Sequence, residues 1–158
     1  MNVRRLKAAD EKPFFDMQGN LNVMRYIKKT MNFEESKKEL NRFIGYYDDK
    51  KIYFKIWALE DAETAEFVGI CGVYKNEKSE FEIAYRLREC FWGKGFGKEV
   101  AQGLIKHCFE KIKIEELTAY VIIGNIGSLK ILESEMNFVE EFFCKKTNTT
   151  ERKFQLKK

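Results

Sequence analysis

The chain has 158 residues, 44% of them hydrophobic and 15% aromatic, which supplies a buried core rather than a disordered tail. Its 29 basic and 25 acidic residues leave a net charge of +4, a balance that solubilises but lacks the basic footprint of a dedicated nucleic-acid binder. Cys71, Cys90, Cys108 and Cys144 form no CxxC pair, and with His107 as the one histidine a metal cluster has little to build on. Buried, reduced thiols in a cytoplasmic protein are the plain reading of those cysteines. No apolar stretch approaches the ~20 residues of a membrane span, and "MNVRRLKAAD" lacks the apolar core of a signal peptide. One proline, Pro13, and no Ser- or Gly-rich stretch argue for a single domain over residues 1–158.

In chain order, "NVRRL" (2–6) reads as a strand and "AADEKPFFDMQ" (8–18) as a helix, with Asp10 and Glu11 near its positive end. "LNVMRYI" (21–27) is a short apolar segment of ambiguous type. "NFEESKKELNRFIGYY" (32–47) places Phe33, Leu40, Phe43, Ile44 and Tyr47 near one helical face, with Asn32 as its cap. The period then changes. "IYFKIWAL" (52–59), "EFVGICGVY" (66–74) and "SEFEIAYRL" (79–87) are rich in β-branched and aromatic residues and read as three strands.

The segment "FWGKGFGKEV" (91–100) follows, with Gly93, Gly95 and Gly97 at alternate positions. It opens a helix running to about Lys111, on which Val100, Leu104, Ile105, Cys108 and Phe109 recur at helical spacing. "ELTAYVII" (116–123) reads as a strand, "IGSLKILESEM" (126–136) as a helix, and "NFVEEFFCKK" with "TERKFQLKK" as a closing hairpin. Strands first, then β-α-β-α and a hairpin, predict a mixed-sheet α/β or α+β domain.

Glycines packed between a strand and a helix can turn several N–H groups toward one anion at the helix's positive end. A P-loop pattern fails, because Gly97 comes one position early and Glu99 stands where a magnesium-binding hydroxyl belongs. A dinucleotide fingerprint fails at Lys98, which holds the third glycine's place. The remaining pattern is (Q/R)-x-x-G-x-(G/A), the pyrophosphate loop of the GNAT acetyltransferases, with Gly95 and Gly97 at its small positions. Trp92 replaces the usual Gln or Arg, as in the ribosomal-protein-type (RimJ/RimL-like) branch, which the segment resembles.

The resemblance extends along the chain. "VRRLKAADEKPFFDM" is similar to that branch's opening strand and helix, and "NVMRYI" to the segment after them. "FVGICGV" and "FEIAYRL" resemble the third and fourth strands, and "GNIGSLKILESEMNF" (124–138) the N-x-x-S helix. Ala84, Gly127 and Asn137 depart from the usual Gly, Ala and Gly.

The resemblance implies a mixed, mostly antiparallel sheet of six to seven strands flanked by helices, its fourth and fifth strands splayed. It implies acetyl-CoA as co-substrate, no metal, and a primary amine as acceptor, either a protein N-terminus or a small-molecule amine. Backbone amides from Gly93 through Lys94, Gly95, Phe96 and Gly97 to Lys98 would hold the pyrophosphate. Lys94 and Lys98 either add charge there or are ordinary solvated lysines. Tyr85 and Leu87 stand where backbone groups meet the acetyl carbonyl and the pantetheine arm; a donor at such a carbonyl is worth about 10²–10³ in rate. Asn125 matches a residue that contacts the arm, or else caps the helix after it.

Ser128 is the candidate proton donor to the departing thiolate, against departure without an acid. Glu82 is the candidate base, against an exposed carboxylate paired with a lysine. Glu80 is a weaker rival to it, Tyr120 lies too early in its strand, and His107 has no role. Cys90 lacks the second residue that an acyl-cysteine route needs. The acceptor groove is expected from Met24, Tyr26, Phe33 and Phe142–Phe143, in a monomer or homodimer. A non-catalytic acyl-CoA sensor is the alternative, and RNA binding a distant third. Neither a nucleic acid nor a membrane is an expected partner.

Overall fold

The computed structural model describes residues 1–158. Seven strands, β1 (Asn2–Arg5), β2 (Phe54–Glu60), β3 (Phe67–Lys75), β4 (Phe81–Leu87), β5 (Glu116–Ile122), β6 (Asn137–Cys144) and β7 (Thr149–Lys157), form one sheet in the order β1-β2-β3-β4-β5-β7-β6. Every neighbouring pair is antiparallel except β4–β5, which is parallel. This is the mixed α/β fold expected above. The closing strands do form an antiparallel pair, but β7 inserts between β5 and β6. That leaves β6 at the edge, where Glu140 and Glu141 discourage pairing with another chain.

Five helices, α1 (Glu11–Gln18), α2 (Leu21–Met24), α3 (Phe33–Gly45), α4 (Phe96–His107) and α5 (Ile126–Glu135), cover the two faces. The larger core lies under α4 and α5, where Val68, Leu117, Leu104, Leu132 and Phe154 meet. The smaller lies under α1 and α3, built on Phe14, Met17, Leu40, Phe43 and Ile56. Because successive strand side chains face opposite ways, β4 contributes to both sides. Ile83, Tyr85 and Leu87 belong to the α4–α5 side. Glu82 and Arg86 reach toward the other, meeting Tyr74 and Gln18.

Local chemistry sets the helix ends. Asn32 caps α3 as expected, and Glu35 answers it in a reciprocal capping box with both bonds at 2.9 Å, a device worth about 1 kcal/mol. Of the ambiguous 21–27 segment, Leu21–Met24 becomes helical because Asn20 Oδ1 accepts from the Asn22 and Val23 amides at 2.8 and 3.2 Å, and because Val23 and Met24 are buried. Residues 8–10 form a 3₁₀ turn that runs into α1. Asp10 does more than complement a dipole there. It is buried, accepts from the Lys7 amide, and accepts from both terminal guanidinium nitrogens of Arg4 at 2.8 Å, which fastens α1 to the sheet edge. After α4 the chain continues through one π turn, 108–112, and leaves it at Lys113 with φ of 65°.

Candidate active site

The parallel pair β4–β5 is in register only at Glu82 and Thr118, and Thr118 Oγ1 fastens that end by donating to the Phe81 carbonyl at 3.2 Å. Beyond it the two strands part into a wedge. Arg88 N–H donates to Val68 O at 2.9 Å. Antiparallel ladders alternate, so the even residues of β4 bond to β3 while Tyr85 and Leu87 turn their backbone groups toward the wedge. Trp92 occupies the usual Gln or Arg position for a legible reason: its indole N–H donates to the Leu87 carbonyl at 3.1 Å, tying the loop to the end of β4.

The glycines divide into two kinds. Gly93 and Gly95 have φ of 73° and 83°, a region that side chains rarely tolerate, and open space lies where a Cβ would point. Gly97 instead lies beneath α5, where a Cβ would come within 2.9 Å of Ile131. Helix α4 opens at Gly95, and its first intrahelical amide bond runs from Glu99 N–H to the Gly95 carbonyl. The N–H groups of Phe96, Gly97 and Lys98 precede that bond and have no helical acceptor, so they form an anion cradle at the positive end of a three-turn helix.

A cavity of about 590 Å³ joins the loop to the wedge. Gly93, Gly95, Phe96, Gly97 and Lys98 line it at the loop, and Tyr85, Leu87, Asn125 and Ser128 are among the residues that line it elsewhere. Lys94 does not line it, its ammonium resting 5.1 Å from the centre of the Phe91 ring. Lys98 does, 3.5 Å from Glu135. Asn125 caps α5, its Oδ1 accepting from Ser128 N–H at 3.3 Å, so the cap expectation holds and its Nδ2 is what the residue can offer a ligand. The Tyr85 hydroxyl is buried without a hydrogen-bond partner. Burial pushes it up to about 12, and Ser128, the polar side chain beside it, acts in the opposite direction.

Glu82 is not brought to this cavity. It sits at the closed end of the wedge, where β4 and β5 still pair, with one oxygen accepting from the Tyr74 hydroxyl at 2.6 Å and the other from Asn76 at 3.1 Å. Burial raises its pKa against those bonds. Glu80 is more firmly held. Burial favours its neutral form, but Lys153 and Tyr120, each at 2.6 Å, and Asn76 together bring it down to about 2.

Of the expected acceptor groove, Tyr26 lines the cavity, while the other members do not. Met24 is buried, Phe33 packs on Phe15 at 5.4 Å, Phe142 stands edge-on to Tyr120, and Phe143 is exposed on the edge strand. The inserted β7 accounts for the last two, since it holds β6 one strand away from the wedge. Arg25 and Arg86, which also line the cavity, were missed. The one available signal for Arg86 was a cation inside a strand, β4, whose one other charged residue is Glu82. His107 packs against Trp57 on the other side of α4, and Cys90 is exposed. No group of three or more His, Cys, Asp or Glu side chains is arranged to hold a metal, and no helix is long and apolar enough to cross a membrane.

A helix N-terminus with free amides thus opens through one cavity into a wedge between parallel strands. The comparisons with known proteins give the chain a family. The profile of the "Acetyltransferase (GNAT) domain" matches residues 1–135, and the chain belongs to that family of acetyl-CoA-dependent N-acetyltransferases. It is 23% identical to Bacillus subtilis YkkB over 137 residues, covering 84% of this chain and 78% of that one. It is 37% identical to the uncharacterized N-acetyltransferase p20 of Bacillus licheniformis over 81 residues, 50% of this chain and 45% of the relative. Among solved structures, a GNAT-family acetyltransferase from Bacillus anthracis superposes with a TM-score of 0.86 at 19% identity, over 98% of this chain and 93% of that one. Spermidine N-acetyltransferase from Vibrio cholerae, in complex with CoA and spermine, gives 0.77 at 19%, over 99% and 94%.

Proposed function

We propose that the protein moves an acetyl group from acetyl-CoA directly to a primary amine, a protein N-terminus or a small-molecule amine, and that it lies in the RimJ/RimL-like branch. The observation that carries the reading is the union, in one cavity, of three free first-turn amides of α4 with the inward backbone groups of Tyr85 and Leu87. The amides of Phe96, Gly97 and Lys98 grip the pyrophosphate. The pantetheine arm lies in the wedge, with Asn125 Nδ2 against it, and the thioester stands beside Tyr85.

The neutral amine attacks the thioester carbon. The C–N bond forms while the oxyanion is held by the Tyr85 amide, and the C–S bond then breaks. Ser128, with the Tyr85 hydroxyl as a second donor, delivers a proton to the thiolate and takes one back from solvent through the open cavity. Because Glu82 stands outside the cavity wall with both oxygens engaged, the acceptor's own proton leaves to solvent through the open cavity, and the products are the N-acetyl amine and coenzyme A. The Trp92 position and the motif order support the branch.

The placement of Glu82 favours one competing reading, an acyl-CoA-binding sensor without turnover. Calorimetric titration with coenzyme A, paired with thiol release from acetyl-CoA across a panel of amines, separates the two. Binding with turnover supports the enzyme; binding without any turnover supports the sensor. No heat on titration sinks both.

A further inference from the structure

The cavity wall carries three cationic side chains, Arg25, Arg86 and Lys98, and no carboxylate. Lys98 belongs to the cradle at the start of α4. The other two lie away from the start of α4, one after α2 and one on β4. Arg25 is exposed on the segment after α2, its guanidinium 5.4 Å from the centre of the Tyr26 ring. Arg86 lies on β4 next to Tyr85 and is half-buried. Its Nη1 donates to Gln18 Oε1, and its enclosed Nε has no partner.

A guanidinium has five N–H donors and pays a desolvation cost wherever they go unmatched. No carboxylate of the fold answers this one. Glu39 acts on it only through space, and Glu39 is already engaged by Lys28 and Arg42, each at 2.9 Å. Burial lowers the Arg86 pKa to about 10, so the group remains cationic at neutral pH. The cavity therefore offers positive charge and spare donors beside the place where the thioester would stand.

Resting on the transfer reaction proposed above, we infer that the acceptor is a primary amine carrying an oxyanion, a carboxylate or a phosphate, and that Arg86 with Arg25 engages that group. The planar fork of Arg86 suits either oxyanion. Two guanidiniums near the amine also favour its uncharged form, which is the nucleophile. A polyamine meets the opposite situation, since its remaining ammonium groups would face cations with no carboxylate to offset them.

Matched acceptors test this: β-alanine against β-alaninamide, phosphoethanolamine against ethanolamine, and spermidine. Thiol release from acetyl-CoA is followed and expressed per free-base amine. One or both acids exceed their neutral partners in kcat/KM by about ten- to a hundredfold, the range of a charge-assisted hydrogen bond. The two pairs tell carboxylate from phosphate. Arg86→Gln brings the ratio close to one while coenzyme A affinity, read by calorimetry, is unchanged. Arg25→Gln, at an exposed site, lowers the ratio by a smaller factor and keeps the test open should Arg86→Gln fail to fold.

Equal or better use of the neutral amines or of spermidine overturns the inference, as does a ratio that survives both substitutions. If no amine turns over, the acids are titrated into the coenzyme A-loaded protein, and absence of binding overturns it too. Failure to bind coenzyme A sinks the transfer reaction itself, whereas turnover indifferent to the oxyanion sinks this inference alone.

Discussion

The two ends of the wedge between β4 and β5 are built on opposite principles. At the closed end Glu80 and Glu82 accept from Tyr74, Asn76, Tyr120 and Lys153, and the carboxylate oxygens there are all engaged. At the open end the Tyr85 hydroxyl and Arg86 Nε are enclosed without partners, and the first amides of α4 have no helical acceptor. Satisfied polar groups hold strands together; unsatisfied ones are costly to the fold and wait for a ligand. The closed end is thus structural, and the open end is where chemistry has room to occur.

The sharpest way to break that comparison is at Tyr85. Tyr85→Phe removes an orphaned polar atom, so stability holds or rises slightly, yet kcat falls about a hundredfold if the hydroxyl and Ser128 share the thiolate. Thermal melts and single-turnover thiol release on Tyr85→Phe and Ser128→Ala decide it, and unchanged rates in both variants would remove these residues from the reaction. Next is Gly95→Val, which forces a β-branched residue to a φ of 83°. That strain, about 1–3 kcal/mol, weakens coenzyme A binding by roughly ten- to a hundredfold in a calorimetric titration.

Glu80→Gln probes the closed end. The carboxylate's folded pKa of about 2 lies below its ordinary 4.5, so its ionised form favours the folded state. Its stabilisation is complete above 4.5 and fades as pH falls toward 2. The melting-temperature gap between parent and variant should therefore shrink over that window, and a gap independent of pH refutes the assignment. The smallest effect belongs to Lys94→Ala. Its ammonium rests on Phe91 outside the cavity, so coenzyme A affinity changes by less than about fivefold, the limit for an exposed charge.

What could be read in the sequence followed from short-range rules. The Asn32 cap, the change from helical to strand period after Lys51, and the glycine run before α4 all emerged at their places, while Glu35's half of the capping box came only with the structure. The order of the motifs led to the family. The reason for each glycine was not legible, because the sign of φ at Gly93 and Gly95 and the nearness of Ile131 to Gly97 are properties of the packed chain. Glu82 looked like a residue beside the splay, but where a parallel pair comes apart depends on the register of β4 with β5, which residue spacing alone does not set. Phe142 and Phe143 were expected in the groove as part of the closing hairpin, but β7 lies between β5 and β6 and holds them away from the wedge. Arg86 was overlooked since its neighbours, Gln18 on one side and the cavity on the other, come from distant segments.

The insertion of β7 beside β5 has a kinetic consequence. One bank of the wedge gains its full antiparallel ladder only when residues 149–157 arrive, after α5 and β6 have been made. Long-range pairings of this kind close slowly, so a growing chain that ends before Thr149 carries β5 with one side bare. Ribosome-bound intermediates of that length should resist proteolysis around α1–β4 while β5 remains cleavable, and competence to hold the carrier should be among the last properties the newborn protein acquires.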